Sequence, residues 1–217
     1  MLISDARVAV LAENLYQELE LWYPVLRLRE AGATPVIVGT TAGELYASKI
    51  GYPVVAEVAV ADVTPDHFDA VIVPGGFAPE YLRRNPAMVE LVRASIEQDK
   101  PVAAICHAGW LLATAEVIKD RRVTSVATIK DDVRHAGGTW LDQPVVTDGR
   151  LLTAQLPNDL PDFMIGVLKL LAEAEAVPRP PLPEYPPSPA GYRQPAVLKN
   201  RAAGPGSANY RGYAELG

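Results

Sequence analysis

From residue 7 to residue 175, short β-branched runs alternate with stretches of helical periodicity. Arg7–Ala12 (RVAVLA), Thr34–Gly39 (TPVIVG), Ala70–Val73 (AVIV) and Val102–Ile105 (VAAI) read as strands with no polar side. In Glu18–Ala31 the apolar residues Leu21, Val25, Leu28 and Ala31 recur at helical spacing, and Gly32 supplies the stop. Pro86–Gln98 reads as a helix with proline in its first turn. A helix over about His107–Ala115 follows the VAAI strand at once. Val145–Thr147 and Leu151–Thr153 flank Asp148-Gly149, a hairpin-turn pair. Asn158–Glu175 closes the pattern as a helix, with Asn158 or Asp159 as its cap. Strands apolar on both faces, alternating with helices, predict an α/β fold with a mostly parallel sheet covered on both sides.

Composition divides the chain. Of its 217 residues 20 are proline, and nine of these fall between Pro178 and Pro205. The segment 177–217 also holds Tyr185, Tyr192, Tyr210 and Tyr213, and carries a formal charge of +3 in a protein of net charge -6. One domain over residues 1–176 and a Pro/Tyr-rich extension over 177–217 are therefore expected. Arg179–Pro189 favours polyproline II. Its apolar anchors Leu182, Val197 and Leu198 predict that the extension lies along the body or a neighbouring subunit.

Charge and residue counts also exclude classes. The acidic balance argues against nucleic acid as a partner. No apolar run approaches the ~18 residues of a membrane span. The first residues, Met-Leu-Ile-Ser-Asp-Ala-Arg, lack the basic-then-apolar pattern of a signal peptide, so a cytoplasmic protein is expected. A single cysteine rules out a disulfide framework. With three dispersed histidines (His67, His107, His135) it also argues against a metal centre, and no cofactor is expected. His67 reads as part of a surface turn, and His135 as covering a helix end.

In an open α/β sheet, ligands bind beyond the carboxyl ends of the strands, and three such ends carry chemistry. At Ala103–Gly109 (AAICHAG) an apolar strand runs straight into a helix with Cys106 at the junction. Ala104 and Ala108 leave the room that a tight nucleophile elbow needs. A helix N-terminus favours thiolate, whereas a buried structural cysteine would act as a small hydrophobe. After AVIV, Gly75-Gly76 lets backbone N–H groups approach a ligand, as an oxyanion hole requires, and it also suits a plain turn. In Glu13–Glu20 (ENLYQELE), Glu18 or Glu20 either complements the helix dipole or reaches the Cys106 sulfur.

Together these segments resemble the DJ-1/PfpI superfamily, closest to its PfpI-like intracellular protease branch. The resemblance runs over most of residues 7–172. It rests on Glu18–Pro24 (ELELWYP), Pro74–Glu80 (PGGFAPE), Ala104–His107 (AICH), Ile129–Asp132 (IKDD), Ala136–Trp140 (AGGTW), Val146–Gly149 (VTDG), Pro157–Leu160 (PNDL) and Asp162–Met164 (DFM). It implies a flavodoxin-like three-layer sandwich with a nucleophile elbow, the fold shared with class I glutamine amidotransferases. It implies Cys106 as nucleophile, Glu20 as the carboxyl that bonds it, and Gly75, Gly76 and the His107 N–H as oxyanion donors. It also implies that His107 acts beside the nucleophile and that Glu80 reaches that histidine from a neighbouring subunit. The protein would then be a homo-oligomer, a dimer or a hexamer. Adjacent residues on a tight turn rarely aim at each other, so His107 is expected to be an awkward base.

Two departures stand out. The branch often reads Ser-Tyr-Pro-Gly-Ile-Lys-Asp-Asp where this chain has Ser125–Asp132 (SVATIKDD), so Val126 offers no hydroxyl near the nucleophile. Ala108-Gly109-Trp110 replaces the usual Gly-Pro, and Trp110 is expected in the core. The function expected is a Cys106 hydrolase acting on a small carbonyl or peptide substrate: protease or amidase-like, or a deglycase or glyoxalase acting on α-oxoaldehydes and their adducts. The alternative is a redox or stress sensor that works through Cys106 oxidation. A glutamine amidotransferase is excluded, because no histidine follows His135.

Overall fold

In the computed structural model, residues 1–185 are described. The strands are β1 (Arg7–Leu11), β2 (Thr34–Gly39), β3 (Leu45–Ala47), β4 (Pro53–Val55), β5 (Val58–Ala59), β6 (Ala70–Val73), β7 (Val102–Ile105), β8 (Arg122–Val123), β9 (Thr139–Trp140), β10 (Val145–Asp148) and β11 (Leu151–Ala154). The helices are α1 (Glu18–Glu30), α2 (Ala78–Leu82), α3 (Pro86–Glu97), α4 (Gly109–Thr114), α5 (Lys130–His135) and α6 (Leu160–Glu173). Seven strands form one sheet in the order β10-β11-β7-β6-β1-β2-β5. All its pairings are parallel except the β10–β11 hairpin at one edge. The two-stranded pairs β3–β4 and β8–β9 flank it.

Alternation along the strands makes the layers. Val8 and Val10 of β1 pack with Leu21, Val25 and Leu28 of α1 and with Phe163, Met164 and Val167 of α6. Ala9 and Leu11 of the same strand pack on the other face with Met88, Leu91 and Val92 of α3 and Leu111 and Leu112 of α4. One strand thus feeds two cores, because successive side chains point to opposite faces. Chain order reverses at β1, whose neighbours are β2 and β6. The crevice at such a reversal opens at the carboxyl ends of the strands. Gly76, Cys106 and the loop into α1 lie there.

Several ends differ from the sequence-based expectation. The elbow begins with a 3-10 turn, Cys106–Ala108, before α4. The closing helix starts at Leu160 after a 3-10 turn, Pro157–Asp159. Asp159 accepts the Leu156 N–H at 2.8 Å, so its carboxylate holds the turn before the helix rather than capping the helix itself. His67 ends the surface turn Pro65–His67, and His135 ends α5.

Beyond α6 the chain runs without helix or strand from Val177 to Tyr185. Arg179 pairs with Asp69, and Arg7 Nη1 donates to the Pro180 carbonyl at 2.9 Å. The Tyr185 hydroxyl donates to Asp62 at 2.6 Å and accepts the Ala59 N–H of the edge strand β5 at 3.2 Å. A cavity of about 620 Å³ lies beneath, lined by Asp69, Lys100, Arg150 and Arg179 among others, at the end of the sheet opposite Cys106. Its cations already have partners: Arg179 on Asp69, Arg150 on Asp99, and Lys100 on the Pro65 carbonyl. The expectations for residues 186–217 lie outside the described residues.

Candidate active site

Strand β7 ends at Ile105, and the next residue breaks the backbone rule. Cys106 has φ 62°, in the left-handed region that a side chain normally avoids. Such a residue costs of the order of 1–3 kcal/mol and persists where its surroundings fix it. Ala104 and Ala108 beside it are buried, as a tight elbow demands. The Cys106 carbonyl accepts the Val126 N–H at 3.3 Å, which ties the elbow to the segment after β8.

His107 Nδ1 lies 3.3 Å from Cys106 Sγ. The expectation of poor aim is thus corrected: the imidazole nitrogen lies within reach of the sulfur. Burial and the charge of Lys49 hold the His107 pKa below its ordinary value, so the ring favours the neutral form.

Glu20 enters from α1. Gln17 caps that helix by accepting the Glu20 N–H at 2.9 Å, which places the carboxyl one turn in. Glu20 is fully buried, and its Oε2 accepts the Gly75 N–H at 2.8 Å. Its Oε1 is buried and unbonded, with Cys106 as an ionisable neighbour. Burial pushes the carboxyl pKa up to about 7, against the pull of the Gly75 hydrogen bond, the neighbouring Cys106 thiol and the charge of Lys49. Burial and then the Glu20 charge push the Cys106 thiol up to about 12, while the backbone N–H groups of His107 and Gly76 pull it down. The two groups compete for one proton. When Glu20 holds it, the repulsion at sulfur vanishes, and the two N–H groups then favour thiolate against burial alone.

The glycines have separate roles. A Cβ on Gly75 would lie 2.6 Å from Glu20 Oε2 and 2.7 Å from Cys106 Cβ, so this residue leaves the space the pair occupies. Its N–H is taken by Glu20, which removes Gly75 from the expected oxyanion donors. Gly76 has φ 76°, and a Cβ there would strike the Leu15 carbonyl and the Gln17 N at 2.5 Å. Gly76 N–H and His107 N–H remain as the pair directed at sulfur.

Glu18, the other candidate carboxyl of that segment, raises the Glu20 pKa by its charge. Glu80 pairs within its own protomer with Arg84 at 3.1 Å and Arg83 at 3.9 Å. Trp110, expected in the core, lies at its edge, packed against it. It is half-buried, its ring centroid 5.0 Å from that of His107 and 6.2 Å from that of Phe77. Trp110 Nε1 donates to Asp132 at 3.3 Å. Sequence reasoning also missed Leu15, Lys49 and Thr128. Leu15 has φ 62° and receives the Phe77 N–H on its carbonyl at 2.8 Å. Lys49 donates its backbone N–H to Tyr16, which bridges to Gly76. Thr128 Oγ1 lies 3.5 Å from His107 Nε2. Among the described residues no group of His, Cys, Asp and Glu is arranged to hold a metal ion, and no helix is long and apolar enough to cross a membrane.

A parallel sheet with its crevice at the chain reversal and a strained cysteine between strand and helix defines an α/β protein of the nucleophile-elbow class. Residues 6–170 match the DJ-1/PfpI family, and the chain belongs to it. It is similar to "Deglycase PfpI" of Pyrococcus furiosus, 39% identical over 165 residues, covering 76% of this chain and 99% of that protein. "Protein/nucleic acid deglycase 2" of Escherichia coli is 38% identical over 167 residues, 76% of this chain and 97% of the other. Among solved structures, DJ-1beta of Drosophila melanogaster superposes with a TM-score of 0.73 at 25% identity, covering 78% of this chain and 92% of that one.

Proposed function

We propose that this chain is a Cys106-dependent hydrolase of carbonyl adducts, a deglycase in the manner its relatives are named. The observation that carries the reading is the sulfur's surroundings: a left-handed Cys106 with the Glu20 carboxyl and the backbone N–H groups of Gly76 and His107 as its neighbours. Cys106 Sγ gives an electron pair to the carbonyl carbon of an α-oxoaldehyde or its adduct, and the C=O π pair moves to oxygen. That oxyanion meets the two backbone N–H groups. The thiol proton passes to Glu20 or to His107 Nδ1. With an aldehyde, that proton returns to the oxyanion and the product of this step is a hemithioacetal. With an amide, the C–N bond breaks, the nitrogen takes the proton back, and water cleaves the thioester.

The protein works in the cytoplasm, where a lone functional cysteine stays reduced. It assembles as a dimer or hexamer in which Glu80 approaches His107 of a neighbouring subunit. Residues 177–217 form an extension to the family domain. The test is a panel of methylglyoxal, methylglyoxal-modified N-acetyl-lysine and a fluorogenic peptide, each with Cys106→Ala as control. Turnover of the adduct that disappears in Cys106→Ala is expected. Turnover that survives the substitution overturns the reading.

Sensing of oxidants through Cys106 is favoured by one observation, the buried, unbonded Glu20 Oε1. A protonated carboxyl there can donate a hydrogen bond to a sulfinate oxygen. Mass spectrometry after mild peroxide decides: a Cys106 that stays reduced while the adduct turns over removes this reading.

A further inference from the structure

The imidazole of His107 has a group at each nitrogen. Nδ1 faces Cys106 Sγ at 3.3 Å, and Nε2 faces Thr128 Oγ1 at 3.5 Å. Both come from the same chain. Resting on the hydrolase reading of Cys106, we propose that Thr128 is a positioning residue that sets the tautomer of His107. Its hydroxyl oxygen accepts the Nε2–H and leaves the Nδ1 lone pair turned toward the sulfur.

A neutral imidazole has one N–H and one lone pair, and the hydrogen bond at one nitrogen decides the role of the other. With the proton on Nε2, Nδ1 can take the Cys106 proton as the sulfur attacks. The resulting imidazolium keeps its bond to the threonine oxygen. With the proton on Nδ1, the ring cannot act as a base toward sulfur. Burial and Lys49 favour the neutral ring at the start, the state in which tautomer choice matters. The other charged group at the elbow is Glu20, which neighbours the sulfur and accepts the Gly75 N–H. Asp132, near Trp110, is bonded to the indole.

Thr128 is held in place. The Val126 N–H on the Cys106 carbonyl anchors the segment before it. Buried Ile129 follows it, and a Cβ on Gly109 at the start of α4 would already lie 3.0 Å from the Ile129 Cδ1. The hydroxyl is therefore presented to the ring by a turn fixed on both sides. In the segment pattern quoted above for the branch, glycine stands where this chain has Thr128, so the hydroxyl is a feature of this chain. It supplies His107 with a partner that does not depend on assembly. Where a neighbouring subunit's carboxylate also approaches the ring, Thr128 holds the tautomer beforehand.

The experiment measures the rate of Cys106 alkylation by iodoacetamide across pH 5–10 in the full chain. The protein has one cysteine, so the signal has one source. Thr128→Val keeps the shape and removes the hydroxyl, and Thr128→Ser restores it. Thr128→Val is expected to slow alkylation near neutral pH about tenfold, part of the 10²–10⁴ a positioned base contributes. Thr128→Ser is expected to recover the wild-type profile. A wild-type profile for Thr128→Val overturns the proposal, as does equal slowing by Val and Ser. Slowing by Glu80→Gln but not by Thr128→Val assigns the ring to the carboxylate and also overturns it. Alkylation needs no substrate, so failure of the hydrolase reading, seen as turnover by Cys106→Ala, is distinct from failure here.

Discussion

Glu20 Oε2 accepts the Gly75 N–H at 2.8 Å, and this bond joins the first turn of α1 to the loop that carries the oxyanion glycine. It fixes the carboxyl beside Cys106 while leaving Oε1 free of partners. A buried carboxyl with one bonded and one open oxygen can hold a proton directed at a neighbour. Whether sulfur or carboxyl carries the shared proton then decides whether a nucleophile is present.

The raised pKa of Glu20 makes folding stability depend on pH. In the unfolded chain this carboxyl titrates near 4.5, and in the folded one at about 7. Between these values the folded state binds the extra proton, so stability falls as pH rises through the window. The full difference corresponds to ~3 kcal/mol at ~1.36 kcal/mol per pKa unit. Glu20→Gln removes this titration. Urea unfolding at pH 5 and pH 8 should show the variant gaining on the wild type at the higher pH. A constant difference between the two proteins contradicts the assignment.

Much of this site was legible as local signals. Cys106 between small residues, paired glycines after a strand and a glutamate in a first helical turn each leave a mark within a few residues of sequence. What escaped depends on distant segments meeting. Thr128 reaches His107 because α4, α5 and the turn before α5 pack together, and no periodicity reports that. The fold divides similarly. Four-residue strands such as β6 and β7 are buried on both faces and read directly. The three-residue strands β3 and β4 and the two-residue strands β5, β8 and β9 are too short to show a period, and their pairing fixes them.

Gly75 and Gly76 separate space from conformation. Gly75→Ala places a methyl against both Glu20 and Cys106, and should cost activity about a hundredfold or more, the scale of losing one oxyanion contact. Gly76→Ala meets backbone at 2.5 Å at a positive φ, so it should lower the melting temperature as well. Steady-state turnover and thermal unfolding of both variants check this. Full activity in Gly75→Ala would contradict the placement of Glu20.

The arm over residues 177–185 should matter for stability and leave the chemistry alone. Asp69 is 7% exposed; besides pairing with Arg179, it accepts the Arg7 N–H at 2.7 Å. Arg179→Ala leaves that carboxylate with one partner fewer, at a cost of about 1–3 kcal/mol. Tyr185→Phe removes the bond to Asp62 and the acceptor for the β5 edge N–H, at about 1 kcal/mol. These groups lie at the amino ends of the parallel strands or at the β5 edge, and Cys106 lies at the carboxyl end of β7. Both variants should therefore unfold at lower urea while Cys106 alkylates at the wild-type rate. Slowed alkylation in either would mean that the arm communicates with the elbow through β6 and β7, which these contacts give no reason to expect.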